Sequence, residues 1–272
     1  TACCSVMFGM VTSQVISSLT NIDLTLFSSL QVNKLEISKI WVSLLMGIVM
    51  GLFSVLFSKM YTLSNIVVKK IKMHKFIKIM LIFLLTFLIG FISLDFIGTG
   101  HDLIKNIFNI ETTPMWYILI LILLFRSIMT LLSNNEGITG GLFIPTLTLG
   151  AIVSCLVSLL LVRLNLIDET YYSSLIAIGI SCAIGGMIKT PITAIIFSLE
   201  ALNSINNITF IIVAVAISYI ITEIFKVKSF NEQVIDNRLE KDHENKTPLV
   251  IDTFIEAKKD SFVIGKSVRD IF

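Results

Sequence analysis

Residues 140–145 read Gly-Gly-Leu-Phe-Ile-Pro and open an apolar stretch that continues to about residue 164. Glycines permit backbone conformations that other residues avoid, and they let a ligand approach the chain closely. Proline is tolerated in the first turn of a helix. The free N–H groups of Leu142 and Phe143 would then face a ligand at the positive end of the helix dipole. The stretch predicts either a backbone anion site or a tight helix-packing turn without a ligand.

The chain around this motif is strongly apolar. Of its 272 residues, 55% are hydrophobic and only 15% are charged, whereas about a quarter of the residues in soluble domains are charged. Residues 226–272 hold 18 of the 40 charged residues (21 basic and 19 acidic), so charge is concentrated in a short tail. We therefore expect an all-α integral membrane part followed by a water-facing tail. With a net charge of +2 and no basic face, we expect no nucleic-acid partner.

Apolar stretches of membrane-spanning length recur before this tail. A spanning helix needs roughly 20 apolar residues. The stretches that meet or approach this length are 39–63, 76–98, 115–133, 142–164 and 207–225. Further apolar stretches are 4–19 and a short pair, 171–188 and 190–203, which Lys189-Thr190-Pro191 separates. Transporters use short, interrupted helices of this kind to bring backbone groups to a buried ion.

Basic residues predict the orientation of the chain in the membrane. Lysines are concentrated between 39–63 and 76–98, at Lys69, Lys70, Lys72, Lys75 and Lys78. By the positive-inside rule this loop is cytoplasmic. Counting the crossings from there returns 207–225 to the cytoplasm, where Lys226 and Lys228 begin the tail. We expect a multi-pass protein of the cell membrane, embedded in the lipid bilayer, with a cytoplasmic C-terminus.

The tail has three predicted parts. Residues 229–242 have apolar positions at helical spacing, with Ser229 as the N-cap. Residues 243–247 are polar and are predicted to be a linker. From residue 248 onward, short apolar runs predict strands and then a final short helix, so this part is expected to begin a cytoplasmic α/β module.

No catalytic or metal-binding pattern is visible in the sequence. Its cysteines lie in apolar stretches without metal-ligand spacing, at Cys3, Cys4, Cys155 and Cys182. We expect no metal, no cofactor and no enzymatic activity. The chain begins at Thr1 in apolar sequence, without the basic start of a signal peptide. We therefore expect a fragment whose natural start lies upstream.

Several motifs together resemble the ClC family of chloride channels and exchangers. Residues 140–145 are similar to its Gly-Gly-Ile-Phe-Ala-Pro motif, and residues 125–130 resemble the basic-residue helix that precedes it. Residues 185–194 resemble the segment with Arg-Ala-Pro-Leu-Thr-Gly and continue to Leu199-Glu200. Residues 98–100 match a glycine-rich loop. The motifs follow the family order over about residues 1–235, which resembles the C-terminal half of a ClC protein.

The resemblance implies a ClC-type bundle of tilted and broken helices over residues 1–242. It implies transport of chloride or a similar small anion, by a channel or a proton-coupled exchanger, and a homodimer with separate pores. The implied anion-binding residues are Gly140, Gly141, Leu142, Phe143, Ile144, Pro145 and Asn231. The amides of Leu142 and Phe143 would be the donors, and Asn231 stands where the family commonly has a chloride-binding tyrosine. The gating and proton-relay glutamates belong to motifs that this sequence does not contain.

Residues 248–272 resemble the truncated start of a TrkA-C regulatory domain, which would bring a small-molecule ligand to the tail. Two other interpretations remain open. One is a secondary transporter of another fold, also built from broken helices, for an organic anion. The other is a membrane anchor for a cytoplasmic sensing domain, although a plain anchor does not need broken helices and glycine-rich turns.

Overall fold

The computed structural model describes residues 32–71, 73–91, 93–97, 100–138, 140–202 and 204–245, with isolated positions between 9 and 19. The regular elements in these ranges are all helices, and the ranges contain no strand. The α-helices are α1 (Ile40–Lys70), α2 (Lys75–Gly90), α3 (His101–Phe108), α4 (Trp116–Asn135), α5 (Phe143–Arg163), α6 (Tyr172–Ala183), α7 (Pro191–Glu200), α8 (Ile208–Ile224) and α9 (Phe230–Asn245). Residues 248–272, for which strands and a TrkA-C-like module are predicted, lie outside the described residues.

Five helical segments of the described chain are long and apolar enough to cross a membrane. They are Ile37–Lys70, Trp116–Asn135, Phe143–Arg163, Glu169–Ile188 and Ile205–Ile224. The predicted all-α, multi-pass membrane architecture is confirmed. Two of the predicted stretches nevertheless have different lengths from those expected.

The stretch 76–98 forms a shorter helix than its apolar run predicts. Helix α2 has 16 residues and ends at Gly90, a length of about 24 Å, whereas the hydrocarbon core is about 30 Å thick. A short 3-10 turn follows, where the N–H of Asp95 donates to Oγ of Ser93 at 3.2 Å. Such a local side-chain bond competes with the helical backbone bonds. Polar residues within the apolar run therefore shorten this helix.

The stretch 171–188 is longer than predicted. A 3-10 turn (Glu169–Tyr171), α6 and a π-helical turn (Ile184–Ile188) form one segment of 20 residues, which meets the spanning length. Every residue of α6 except Ser173 is buried, because α1, α5 and α8 pack around it. The expectation of a short helix is wrong here, and α6 is the centre of the bundle rather than a re-entrant piece.

Glycines allow the central helices to approach one another closely. A Cβ atom at Gly150 of α5 would lie 2.5 Å from Cβ of Ala183, and one at Gly179 of α6 would overlap Cβ of Ser154. At Gly47 of α1, the same atom would lie 2.6 Å from a backbone oxygen of α8. Small residues at helix contacts are the usual means of close packing in membranes. These glycines therefore set the distances between α1, α5, α6 and α8.

Helix α9 begins with a capping box. The N–H of Glu232 donates to Oγ of Ser229 at 3.2 Å, and the N–H of Ser229 donates to the Glu232 carboxylate at 3.0 Å. The two bonds satisfy donors that the helix itself leaves unpaired. The predicted helix and its N-cap residue are confirmed. The helix also continues through Asn245, so residues 243–245 of the expected linker are helical.

The capping box gives a stability prediction. Changing Ser229 to alanine removes the cap acceptor and should lower the free energy of unfolding by about 1 kcal/mol. The measurement is the thermal unfolding midpoint of the purified protein in detergent. Ser38→Ala is the matched control, because within the described chain the Ser38 hydroxyl bonds to the exposed carboxylate of Glu36, so its loss should leave the midpoint unchanged. Equal midpoints for the two variants would contradict the role of the cap.

Candidate anion-binding site

Helix α4 ends in a Schellman motif centred on Gly137. The N–H of Ile138 donates to the carbonyl of Ser133 at 3.0 Å, and the N–H of Gly137 donates to the carbonyl of Asn134 at 3.2 Å. Gly137 has φ +79°, the left-handed conformation that this Schellman motif requires and that favours glycine. The motif ends α4 sharply and leads the chain directly into residues 140–145.

Helix α5 then begins without a side-chain cap. Leu142 is its N-cap residue, with φ −92° and ψ −19°, and no side chain accepts a bond from the first turn. The Leu142 carbonyl already accepts from the N–H of Thr146 at 3.2 Å and from its hydroxyl at 2.9 Å. The first N–H groups of a helix have no intrahelical acceptor, so this turn offers donors, including that of Phe143, to a ligand. Pro145 lies in the first turn, as predicted.

The two glycines of the motif have an unexpected role. Neither Gly140 nor Gly141 has a positive φ, since the described glycines with positive φ are Gly100 and Gly137. The motif therefore does not use the backbone conformations that glycine permits. A Cβ atom at either position would meet no heavy atom within 4 Å. The glycines leave open space in front of α5. Their other predicted role, to let a ligand approach the chain closely, stays a prediction.

This open space belongs to a cavity of about 230 Å³ between α2, α4 and the start of α5. Gly140, Gly141 and Pro145 line one side of it. The opposite side is polar, with Arg126, Thr130, Ser133 and Asn134 of α4. No carboxylate is among the residues that line the cavity. The cavity therefore combines hydrogen-bond donors with one buried positive charge.

Arg126 is the basic residue of the motif at 125–130, but the sequence motifs gave it no place among the candidate site residues. It is only 8% exposed. Its Nε donates to the carbonyl of Asp95 at 2.9 Å, and its Nη2 donates to the carbonyl of Ile97 at 2.8 Å. A sequence signal existed, because Arg126 is the only charged residue in the stretch 115–133. A charge within a membrane segment is a functional candidate by default.

The break between α6 and α7 is where the sequence places it. After the π-helical turn, Lys189 adopts a left-handed conformation with φ +62°, and Pro191 begins α7. Helix α7 reaches the start of α5, where the rings of Phe143 and Phe197 meet edge to face with centroids 5.3 Å apart. The short helix therefore packs against the helix that carries the candidate amides.

Asn231 lies in a different setting from the glycine turn. It follows Phe230 in the first turn of α9, and the buried ring of Phe230 packs against Phe57 at 5.2 Å and Tyr61 at 5.6 Å. Asn231 is not among the residues that line the cavity at Gly140. The anion-binding role of Asn231 thus stays a prediction.

The fold and this cavity define a class of protein: a multi-helix membrane protein with an uncapped helix start next to a cavity that no carboxylate lines. Of the predicted site residues, Gly140, Gly141 and Pro145 line this cavity, whereas Leu142, Phe143 and Ile144 are not among its lining residues. Residues 1–223 match the sequence family described as Voltage gated chloride channel. The chain belongs to this family, and the resemblance to ClC proteins is confirmed.

Two solved structures share the fold. A slow cyanobacterial Cl⁻/H⁺ antiporter superposes with a TM-score of 0.74 at 20% identity, over 88% of this chain and 56% of that chain. A CLC-type fluoride/proton antiporter superposes with a TM-score of 0.56, also at 20% identity, over 71% of this chain and 46% of that chain. The chain thus spans about half the length of these structures. The alternative of a transporter with another fold is wrong.

Proposed function

We propose that the protein transports chloride or a similar small anion across the cell membrane, as a ClC-type channel or proton-coupled exchanger. The anion is held by the amides of Leu142 and Phe143. The observation that carries this proposal is the uncapped start of α5 beside a cavity without carboxylates. The proposal involves no enzymatic activity, since the family is one of transporters.

Backbone amides suit this task for an energetic reason. An anion that leaves water must regain hydrogen bonds in the membrane, where unsatisfied polar groups cost several kcal/mol. Amides at a helix N-terminus supply such bonds together with the positive end of the helix dipole. They do so without placing a full positive charge against the ion, so release of the ion remains easy. Conduction requires binding that is favourable but weak enough to allow exit.

Proton coupling is the form of transport that the solved structures favour. One is described as a Cl⁻/H⁺ antiporter and the other as a fluoride/proton antiporter. They support a small halide as the anion and protons as the coupled ion. The glutamates that would relay protons are not in this sequence, so the choice between channel and exchanger depends on measurement.

We also propose a homodimer that forms through α7 and α8. Their outer faces carry exposed apolar side chains, at Ile192, Ile196, Ile212 and Ile220. The resemblance to ClC proteins implies that these two helices, together with residues 4–19, contribute to a subunit interface. Chemical cross-linking in the membrane, followed by gel electrophoresis, tests whether two copies associate.

The orientation proposed is one with a cytoplasmic C-terminus. The lysine-rich junction of α1 and α2 and the basic residues after α8 would lie on one side. The contacts of the described chain support this, because Phe230, which follows the basic residues after α8, packs against Tyr61 in the second half of α1 with ring centroids 5.6 Å apart. We further propose that residues 248–272 begin a TrkA-C-like module with a small-molecule ligand.

The test of the proposed function is anion flux from liposomes that contain the purified full-length protein. A chloride electrode records chloride release, while a pH electrode records proton movement in the same vesicles. We expect chloride release above that of protein-free liposomes. Proton uptake driven by a chloride gradient would identify an exchanger, and its absence a channel. Properly folded protein that passes neither chloride nor fluoride would contradict the proposal.

A further inference from the structure

We propose that the buried ion pair between Lys78 and Glu136 positions the glycine turn at residues 140–145 and thereby sets the affinity for the anion. This inference rests on the proposed function and deepens it. Glu136 acts through the backbone, because it ends α4 four residues before Gly140. Neither residue of the pair touches the anion, so both are positioning residues.

The ammonium group of Lys78 connects three helix ends. Its Nζ lies 3.3 Å from the carboxylate of Glu136, which is the C-cap residue of α4. The same Nζ donates to the carbonyl of Val68 at 3.0 Å, in the last turn of α1. Lys78 itself lies in the first turn of α2. Since the last carbonyls of a helix have no intrahelical donor, this bond ties the end of α1 to the ends of the other two helices.

The pair is shielded from water. The side chain of Lys78 is 17% exposed and that of Glu136 is 7% exposed. Exposed ion pairs contribute little, because water and salt screen them. Two charges that are removed from water attract each other strongly and are costly to separate. The burial of this pair therefore enables it to hold the end of α4 in one place.

Both charges stand at helix ends that disfavour them. Lys78 lies near the positive end of the dipole of α2, and Glu136 lies beside the negative end of the dipole of α4. The stability of its own helix therefore explains neither residue. Departures from local preference are expected at functional positions. The contact between the helices accounts for both residues at once.

Helix α2 has little apolar packing at this end. The side chains of Phe76, Ile77 and Met80, which flank Lys78 in the sequence, are exposed. Within the described chain, α2 packs mainly on α4. A contact between these two helices further along is that of the Thr86 hydroxyl with Sδ of Met129, at 3.8 Å. Apolar burial thus leaves the start of α2 loosely held, and the charged contact fixes it to the end of α4.

The end of α4 determines where the glycine turn lies. Directly after Glu136, the Schellman motif at Gly137 reverses the chain, with the N–H of Ile138 bonded to the carbonyl of Ser133 at 3.0 Å. The chain then passes Gly140 and reaches the uncapped start of α5. Groups that are already ordered bind a ligand more tightly than groups that binding must order. Releasing Glu136 therefore weakens anion binding without removing any donor.

The first test is the chloride dependence of flux in liposomes that contain the purified full-length protein. We expect Lys78→Met to raise the KM for chloride about tenfold, the effect of weakening one charge-assisted hydrogen bond to the ion. Lys78→Arg keeps the charge and should retain most of the affinity. Lys105→Met is the matched control, since Lys105 is exposed on α3, and its KM should be unchanged.

The KM separates positioning from a loss of stability. It is a property of the folded molecules, whereas the maximal rate also falls when fewer molecules fold. A pair that only stabilised the protein would therefore lower the maximal rate of Lys78→Met and leave the KM as it is. That result would overturn the inference.

A double variant applies if Lys78→Met does not fold, since removal of one partner leaves an unpaired buried charge. Lys78→Met combined with Glu136→Gln removes both charges, and replacing a whole buried pair is often neutral for stability. We expect the double variant to fold and to show the same rise in KM, about tenfold, because the two residues act as one unit. A KM equal to that of the unmodified protein would contradict the positioning role.

Hydrogen exchange in detergent gives a readout that does not need transport. In the double variant, the amides of Gly137 and Ile138 should exchange about tenfold faster, because the bonds of the Schellman motif open more often when the tie at Glu136 is lost. Amides within α6 should exchange at the unmodified rate, which distinguishes a local change from general loosening. Unchanged exchange at both residues would overturn the inference.

These outcomes are distinct from a failure of the proposed function. Flux in the unmodified protein together with a normal KM in the double variant removes the positioning role and leaves the transport proposal standing. Absence of both chloride and fluoride flux in the unmodified protein removes both.

Discussion

Replacing Gly141 by leucine is expected to reduce chloride flux at least about tenfold while the protein folds normally. A side chain at this position points into space that no atom of the described chain occupies within 4 Å. It would occupy the place in front of α5 that the ion needs. The anion would lose hydrogen bonds to the amides, and charge-assisted bonds of this kind contribute about 1.5–3 kcal/mol each, which corresponds to tenfold or more in binding.

The size of the added side chain gives this experiment its control. Gly141→Ala adds one methyl group to a backbone without positive φ, so it should fold normally and reduce flux less than the leucine variant does. The measurements are chloride release from liposomes and the thermal midpoint in detergent. If the leucine variant folds and transports at the rate of the unmodified protein, the turn is not part of the pathway.

Replacing Gly179 by valine should destabilise the protein strongly, by about 3 kcal/mol or more, the upper end of the usual range for overpacking. Gly179 lies at the centre of the bundle, where its hypothetical Cβ overlaps Cβ of Ser154 and approaches the Met46 methyl to 2.9 Å. The flexible Met46 side chain can move away, but Cβ of Ser154 is bonded directly to the backbone of α5 and cannot move without the helix. Helices α5 and α6 would have to separate, and this would disrupt the buried core around α6.

Gly140→Val is the matched control for this prediction. It is the same substitution at a position with no heavy atom within 4 Å of the added Cβ, so the free energy of unfolding should change by no more than about 0.5 kcal/mol. The measurement is the fraction of protein that remains monodisperse in detergent after heating. Similar thermal midpoints for the two valine variants would show that the α5–α6 contact tolerates a side chain.

The sequence predicted the parts of the fold that depend on local patterns. Long apolar runs identified α1, α4, α5 and α8 as spanning helices, and Lys189-Thr190-Pro191 identified the break before α7. Ser229 identified the start of α9. Each of these signals acts within a few residues, through hydropathy, the restricted φ of proline, or a cap bond.

The same local patterns were misleading where bonding or burial decided the outcome. The apolar run 76–98 suggested a full span, but the bonding of Ser93 and Asp95 shortens the helix. The run 171–188 suggested a short helix, but neighbouring helices bury almost all of it and it forms a continuous segment. Apolar composition alone does not distinguish a helix that faces lipid from one that faces other helices.

By itself, the sequence determined the class of the protein and the location of its candidate anion turn at residues 140–145. Hydropathy, glycine pairs and motif order are properties of the chain and need no knowledge of contacts. Only the tertiary structure decided what lies opposite that turn. Arg126 is 14 residues before Gly140, and folding brings both to one cavity because the Schellman motif at Gly137 ends α4 and reverses the chain. Gly140 and Gly141 have no positive φ and border open space. That space depends on neighbours that are distant in sequence.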